Sequence, residues 1–272
     1  MRSIDKFNTA VNSGKHICVG LDPDIEKIPD HLKNSDDPVF LFNKSIIDTT
    51  REETAAYKLN FAFYEATGIE GLTSLKKTID YIGDDIFIIG DAKRGDIGST
   101  SAMYAKSVFD YFKCDSVTLH PYMGYDSVQP FLVYKEKLNF VLTLTSNKSA
   151  DNFETLTLST NEKLYQKVIG KVNEWNEKFN NCGIVFGATQ LTQLQENINL
   201  IKDLPLLLPG VGAQGGSLED VVSLFNKHNF TNYLINASRS IIYASNGIDF
   251  AEKASQELKK LNTEIALLSS AK

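Results

Sequence analysis

Cysteine is scarce in this chain: there are three in 272 residues, Cys18, Cys114 and Cys182, far apart in sequence. They form no C-x-x-C pair and match no zinc spacing, and so sparse and odd a count fits a reducing cytoplasm. Cys18, inside an apolar run, reads as a small core residue. Positive charge is also in short supply. Lys and Arg number 28 against 34 Asp and Glu, a net charge of −6, so no general basic surface recommends nucleic acid as a partner. An anionic small ligand remains open, held by a few local cations and backbone N–H groups. Long apolar runs are missing; none approaches the roughly 20 residues needed to span a bilayer. The opening MRSIDKFNTAVNSG has no apolar h-region of a secretory signal. No H-x-x-x-H or Asp/His cluster marks a metal site. Linkers rich in Pro, Gly or Ser, low-complexity tracts and repeats are absent as well. The expectation is one domain over residues 1–272, cytoplasmic, with neither membrane nor nucleic acid as partner.

What is present is an ordinary globular composition, 42% hydrophobic and 23% charged, in a distinctive order. Short apolar runs alternate with longer amphipathic ones. The predicted strands cover 16–21, 56–60, 86–93, 116–120, 140–145, 183–188, 205–210 and 233–238. Most lack strict polar alternation, as parallel strands buried on both faces do. Predicted helices cover 38–54, 70–82, 98–112, 161–179, 217–228 and 249–262. Ser99 is a candidate cap for the third, and Ser217 with Glu219 and Asp220 suits the start of the fifth. Eight strands, each followed by helical sequence, over about 250 residues match a (β/α)8 TIM barrel, an α/β fold. A doubly wound open sheet shares the pattern.

In such a barrel, chemistry sits at the C-terminal ends of the strands. That rule selects Asp22, Lys58, Asn60, Asp91, Lys93, His120, Thr145, Ser146, the PGVGAQGG loop and the SRS turn. Within "GDAKRGDIGST", residues 90–100, Asp91 and Lys93 share a strand face by alternation. The spacing Asp91-x-Lys93-x-x-Asp96 is either a solvated surface ion pair or a charged tool; a cleft location favours the tool. The glycine-rich loop after the seventh strand leads into a helix, an arrangement that suits an anion. Arg239, just past the eighth strand, can add a bidentate guanidinium. Turn glycines and a surface arginine are the plain alternative. His120 beside Pro121 reads as a hydrogen-bonded structural residue, and Tyr57, Phe61, Phe63 and Tyr64 as core or rim packing around Lys58.

Five segments in order, GLDPD, YKLNFAFYE, DAKRGDIGST, LPGVGAQGG and NASRSI, resemble the orotidine 5′-phosphate decarboxylases, and the length with KLNFAFYE resembles their longer subfamily. The resemblance runs from Gly20 to about Tyr243. It implies a (β/α)8 barrel, a homodimer with shared active sites, no cofactor and no metal. The implied reaction converts orotidine 5′-monophosphate to UMP and CO2. Carried over motif by motif, Lys58, Asp91, Lys93 and Asp96 are the catalytic array, with Lys93 as proton donor. Asp96, Ile97 and Thr100 reach the neighbouring subunit's site. Asp22 binds ribose with Lys58, Ser146 and Gln214 meet the pyrimidine, and Arg239 clamps the phosphate. Asn60, Pro209 and Ser238 complete the substrate-binding positions. Ser238 stands where many members have glycine, Thr145 competes with Ser146, and the segment 147–182 is expected to hold a lid loop and the helix after strand five. Rival readings are a Mg2+-dependent aldolase or decarboxylase of keto-sugar phosphates with the same array, a Schiff-base aldolase using Lys58 or Lys93, and a non-catalytic nucleotide-binding protein.

Overall fold

The computed structural model describes residues 1–212 and 215–270. Its centre is a closed barrel of eight parallel strands in sequential order: β1 (Ile17–Gly20), β2 (Ala56–Asn60), β3 (Phe87–Arg94), β4 (Ser116–Leu119), β5 (Leu138–Leu144), β6 (Cys182–Phe186), β7 (Leu206–Pro209) and β8 (Tyr233–Ala237). Closure comes from β8 pairing with β1, Ile17 opposite Ile235. The doubly wound alternative is thereby excluded, since an open sheet leaves two edges. All eight predicted strands are present, within a few residues at each end.

The apolar runs are unbroken because each strand is buried on both faces. Cys18, Ile89, Phe140, Val185, Leu207 and Leu234 fill the barrel interior. Their neighbours Ile17, Val19, Val117, Leu119, Ile184 and Phe186 face outward into the helical layer. The N-terminal helix Ser3–Asn12 was not foreseen. It plugs the bottom of the barrel, where Phe7 meets Phe87 edge-on at 5.9 Å and Phe140 at 6.4 Å. Lys6 and Ser3 anchor it to the buried carboxylate of Asp115, at 2.9 and 3.3 Å. With the bottom filled, only the C-terminal end of the barrel is open for chemistry.

Ser217 caps helix Leu218–Lys227 by accepting from the Asp220 amide at 3.1 Å, as the sequence suggested. Ser99 does not cap helix Gly98–Lys106. That helix starts earlier, behind Ile97, and Ser99 lies within its first turn. It also ends sooner than expected, passing into a π-turn over Ser107–Tyr111. Helices Tyr125–Leu132 and Leu191–Glu196 were not individually foreseen; the first carries Pro130 in its interior and the second has only six residues. Helix Phe250–Ser270 runs well beyond its predicted end at 262. Among the described residues no helix is long and apolar enough to cross a membrane.

Candidate active site

At the open end, β3 leaves regular pairing. Gly90 lies opposite Val117 and Arg94 opposite Leu119, so four steps on β3 match two on β4. Such a bulge re-aims the side chains it contains. Lys93 takes a positive φ of 46°, a backbone state uncommon for a residue other than glycine and a recurrent feature of functional sites. Its amide donates to the Thr118 hydroxyl at 3.0 Å instead of to a ladder carbonyl. The expectation that simple alternation brings Asp91 and Lys93 together is therefore corrected: they converge, but through the bulge. Lys93 Nζ lies 2.6 Å from Asp91 Oδ1.

Asp91 is the hub of a longer chain. Its Oδ2 accepts from Lys58 Nζ at 3.1 Å. Lys58 Nζ also lies 3.3 Å from Asp22 Oδ1 and 3.5 Å from Oδ2. Asp22 Oδ1 in turn accepts the Asn60 amide at 3.1 Å. Charges thus alternate as Asp22, Lys58, Asp91, Lys93 across three neighbouring strands. Burial alone would push the Lys58 ammonium down in pKa, but the carboxylates of Asp22 and Asp91 outweigh it and raise it. Burial likewise pushes Asp91 up, and the ammonium groups of Lys58 and Lys93, with hydrogen bonds from Lys93 and Thr118, hold it well below the usual carboxylate range. Both groups are fixed in their charged forms. Lys93 is half exposed, with 51% of its side-chain surface open, whereas that of Lys58 is 5% open. The outer ammonium is the one presented to the mouth.

Asp22 also lines a cavity of about 450 Å³ with Asn60, Pro209, Asn236, Ser238 and Arg239. Arg239 begins a short helix directly after β8 and is exposed; no carboxylate among the described residues forms an ion pair with it. Ser238 turns its side chain to the barrel wall, donating to the Gly20 carbonyl at 3.0 Å. A Cβ on Gly20 would lie 2.7 Å from Ser238 Cβ, so glycine on β1 makes the room that serine on β8 occupies. Asn236 was not anticipated as a site residue. It lines the same cavity, and its Oδ1 is buried without a hydrogen-bond partner. Its place on β8, two residues before Ser238 and so on the same face, was the available signal. Phe63, 41% exposed, stands on the rim of this cavity, while Tyr57, Phe61 and Tyr64 are buried.

A larger, more apolar cavity of about 600 Å³ lies between the ends of β4 and β5 and the inner face of helix Leu164–Phe179. None of the array lines it. The smaller cavity, which shares Asp22 with the charged chain, is where the chemistry points. Exposed His120 borders the larger one, and its Nδ1 accepts the Tyr122 amide at 3.2 Å within its own turn. After β5, Thr145 is committed elsewhere: its hydroxyl donates to the Glu154 carboxylate at 2.9 Å and its amide to the same group at 2.7 Å. Ser146 follows, half-buried, with its amide packed so closely on Gly187 that a Cβ there would lie 2.7 Å away. The segment 147–182 contains a 3-10 turn, Lys148–Asn152, and the expected helix from Leu164.

Three expected residues do not join their own chain's site. Asp96 accepts the neighbouring Ile97 amide at 2.8 Å and forms no ion pair with Lys93, so within one chain Asp91 alone holds that ammonium. Ile97 and Thr100 are exposed beside it, Ile97 to 57%. Gln214 lies outside the described residues. No cluster of three His, Cys, Asp or Glu side chains suited to a metal ion occurs among the described residues.

A family model for the orotidine 5′-phosphate decarboxylase / HUMPS family matches residues 15–254. A curated relative from Flavobacterium johnsoniae, named orotidine 5′-phosphate decarboxylase, is 49% identical over 253 residues, 92% of each sequence. Among solved structures, an OMP decarboxylase from Leishmania donovani is similar at a TM-score of 0.81 and 32% identity, over 97% of this chain and 100% of that one. A UMP synthase from the same organism gives a TM-score of 0.87 at 34% identity, covering 100% of this chain and 57% of the longer protein.

Proposed function

The chain belongs to the orotidine 5′-phosphate decarboxylase / HUMPS family, and from that premise we propose how its charged array works. The protein is an orotidine 5′-phosphate decarboxylase, a carboxy-lyase that converts orotidine 5′-monophosphate to UMP and CO2 in pyrimidine biosynthesis. The alternating chain Asp22–Lys58–Asp91–Lys93 at the barrel mouth is the observation that carries the mechanism. Loss of CO2 from C6 of the pyrimidine leaves a carbanion with little resonance help. Catalysis needs a cation that meets the new charge and then a proton. Lys93 supplies both: its ammonium is oriented before reaction, so no reorganisation accompanies bond breaking, and it then protonates C6. Asp91 holds that ammonium in place through their ion pair and places its own anion near the substrate carboxylate, a repulsion that disappears as CO2 departs.

The remaining roles are those the family resemblance implies, and for the described residues their positions around the barrel mouth support them. Asp22 and Lys58 bind ribose, with Asn60 beside them; Arg239 and the Ser238 amide take the phosphate against Pro209. Ser146, with Gln214, reads the pyrimidine, since the Thr145 hydroxyl is engaged by Glu154. Residues 1–272 act as one catalytic domain in the cytoplasm, without cofactor or metal. The active unit is a homodimer. Asp96 forms no ion pair with its own chain's Lys93, Ile97 and Thr100 are exposed, and Met103, Tyr122, Met123 and Phe153 add exposed apolar surface. In the dimer Asp96 completes the partner's array, giving Lys93 a second anion.

Turnover of orotidine 5′-monophosphate, followed by absorbance in the presence of EDTA, tests the reading. Undiminished decarboxylation supports it. Activity that requires added Mg2+ would move the chain to the metal-dependent keto-sugar-phosphate reading, and binding of UMP without turnover would make it a nucleotide-binding protein.

A further inference from the structure

We propose that Thr118 is the positioning residue that fixes Lys93 and Asp91 relative to each other. The inference rests on the reading of Lys93 as the proton donor. Thr118 is buried on β4, with 2% of its surface open, and lies opposite Phe140 of the barrel interior. Its hydroxyl has two partners in the array. It accepts the Lys93 amide at 3.0 Å and donates to Asp91 Oδ1 at 2.9 Å. A hydroxyl carries one proton and two lone pairs. Because it receives the Lys93 N–H on a lone pair, its own proton is free for the carboxylate, so both bonds form at once.

The bulge explains why a side chain is needed here. Between Gly90 and Arg94, β3 has two residues more than β4, and regular pairing resumes only where His120 donates to the Arg94 carbonyl. The Lys93 amide has no ladder carbonyl, and Thr118 takes that place. The same oxygen orients Asp91 so that Oδ1 faces Lys93 and Oδ2 faces Lys58. Backbone strain at Lys93, φ 46°, persists only where the surroundings over-determine it. Thr118 is a polar contact that ties the Lys93 main chain to the carboxylate its side chain pairs with.

Thr118→Val keeps the volume and removes both hydrogen bonds; Thr118→Ser restores the hydroxyl and drops a methyl. The expected result for Thr118→Val is a fall in kcat of about 100-fold, the scale of a roughly 1 Å misplacement of a reacting group. Its affinity for UMP, measured by calorimetry, and its KM should stay within about threefold of wild type, because Asp22, Asn60 and Arg239 are untouched. Thr118→Ser should recover kcat to within about fivefold. A Thr118→Val enzyme with near-wild-type kcat, a Ser variant as slow as the Val variant, or parallel losses of kcat and UMP affinity would each overturn the inference. If Thr118→Val does not fold, Thr118→Ala allows the same comparison. Lys93→Ala is assayed alongside. Retained turnover there would overturn both the inference and the reading beneath it, whereas an inactive Lys93→Ala beside a normal Thr118→Val overturns the inference alone.

Discussion

Lys58 and Asp91 form a buried ion pair, Nζ to Oδ2 at 3.1 Å, on adjacent strands whose inward positions point to the same opening. The pair is held by a carboxylate on one side and an ammonium on the other, Asp22 and Lys93. Desolvating Asp22, Lys58 and Asp91 is unfavourable, and the alternation of charge out to the half-exposed Lys93 offsets much of that cost. A barrel shaped only for stability would fill these positions with apolar side chains. Charged side chains at these positions suit work on a charged ligand.

Lys58→Ala should be strongly destabilising as well as inactive. It leaves Asp91 and Asp22 facing each other without their shared cation, and breaking a buried pair in this way costs about 3–5 kcal/mol. Urea denaturation at neutral pH checks the value; a loss under about 1 kcal/mol would mean that solvent already screens the array.

The depressed pKa of Asp91 sets an acid limit. A carboxyl whose folded pKa lies below its unfolded value adds stability that is fully present above the unfolded pKa, and loses it as pH falls through the folded one. The contribution should therefore be intact at pH 5–7 and decline below about pH 4. Asp91→Asn should flatten that part of the stability profile; an unchanged acid slope would assign the effect to other carboxylates.

Arg239→Ala should lower kcat/KM by about 2–5 kcal/mol, as expected when a charge-assisted contact to a phosphate is removed. The loss should be much smaller with the nucleoside, which has no phosphate to hold. Equal losses with nucleotide and nucleoside would place Arg239 away from the phosphate.

Gly20 and Ser238 should be coupled. Gly20→Ala puts a methyl against Ser238 Cβ, which lies 2.7 Å from the required position, and overpacking of this kind costs about 1–3 kcal/mol. Ser238→Gly in the same chain should recover most of it. Additive effects in the double variant would show that the strand spacing adjusts instead.

If sites are shared across a homodimer as proposed, two inactive variants should complement each other. Lys93→Ala and Asp96→Ala should each be inactive, yet a mixture refolded together should regain activity in about a quarter of its sites, because half the dimers are mixed and each has one intact site. A mixture as inactive as its parents would place Asp96 outside the partner's site.

Much of this arrangement could be read from the sequence. Eight buried-strand runs located the barrel, and the strand-end rule selected Asp22, Lys58, Asn60, Asp91, Lys93 and Arg239, which the structure gathers around one opening. Other features depend on long-range geometry. The bulge in β3 is invisible in "GDAKRGD", because it is defined by pairing with β4, and without it the link through Thr118 cannot be inferred. Thr118 itself reads as one more polar residue in a strand. The helix Ser3–Asn12 escaped notice because its role, closing the barrel with Phe7, depends on residues 80 and more positions away. The engagement of Thr145 by Glu154 likewise depends on how the loop after β5 turns back.

The central claim is that the Lys93 ammonium meets and then protonates the carbanion. Release of labelled CO2 from carboxyl-labelled orotidine 5′-monophosphate by Lys93→Ala, with UMP binding measured on the same sample, tests it most directly. The account predicts a folded protein that still binds UMP and releases no CO2 above background. Release at a rate comparable to wild type would contradict it.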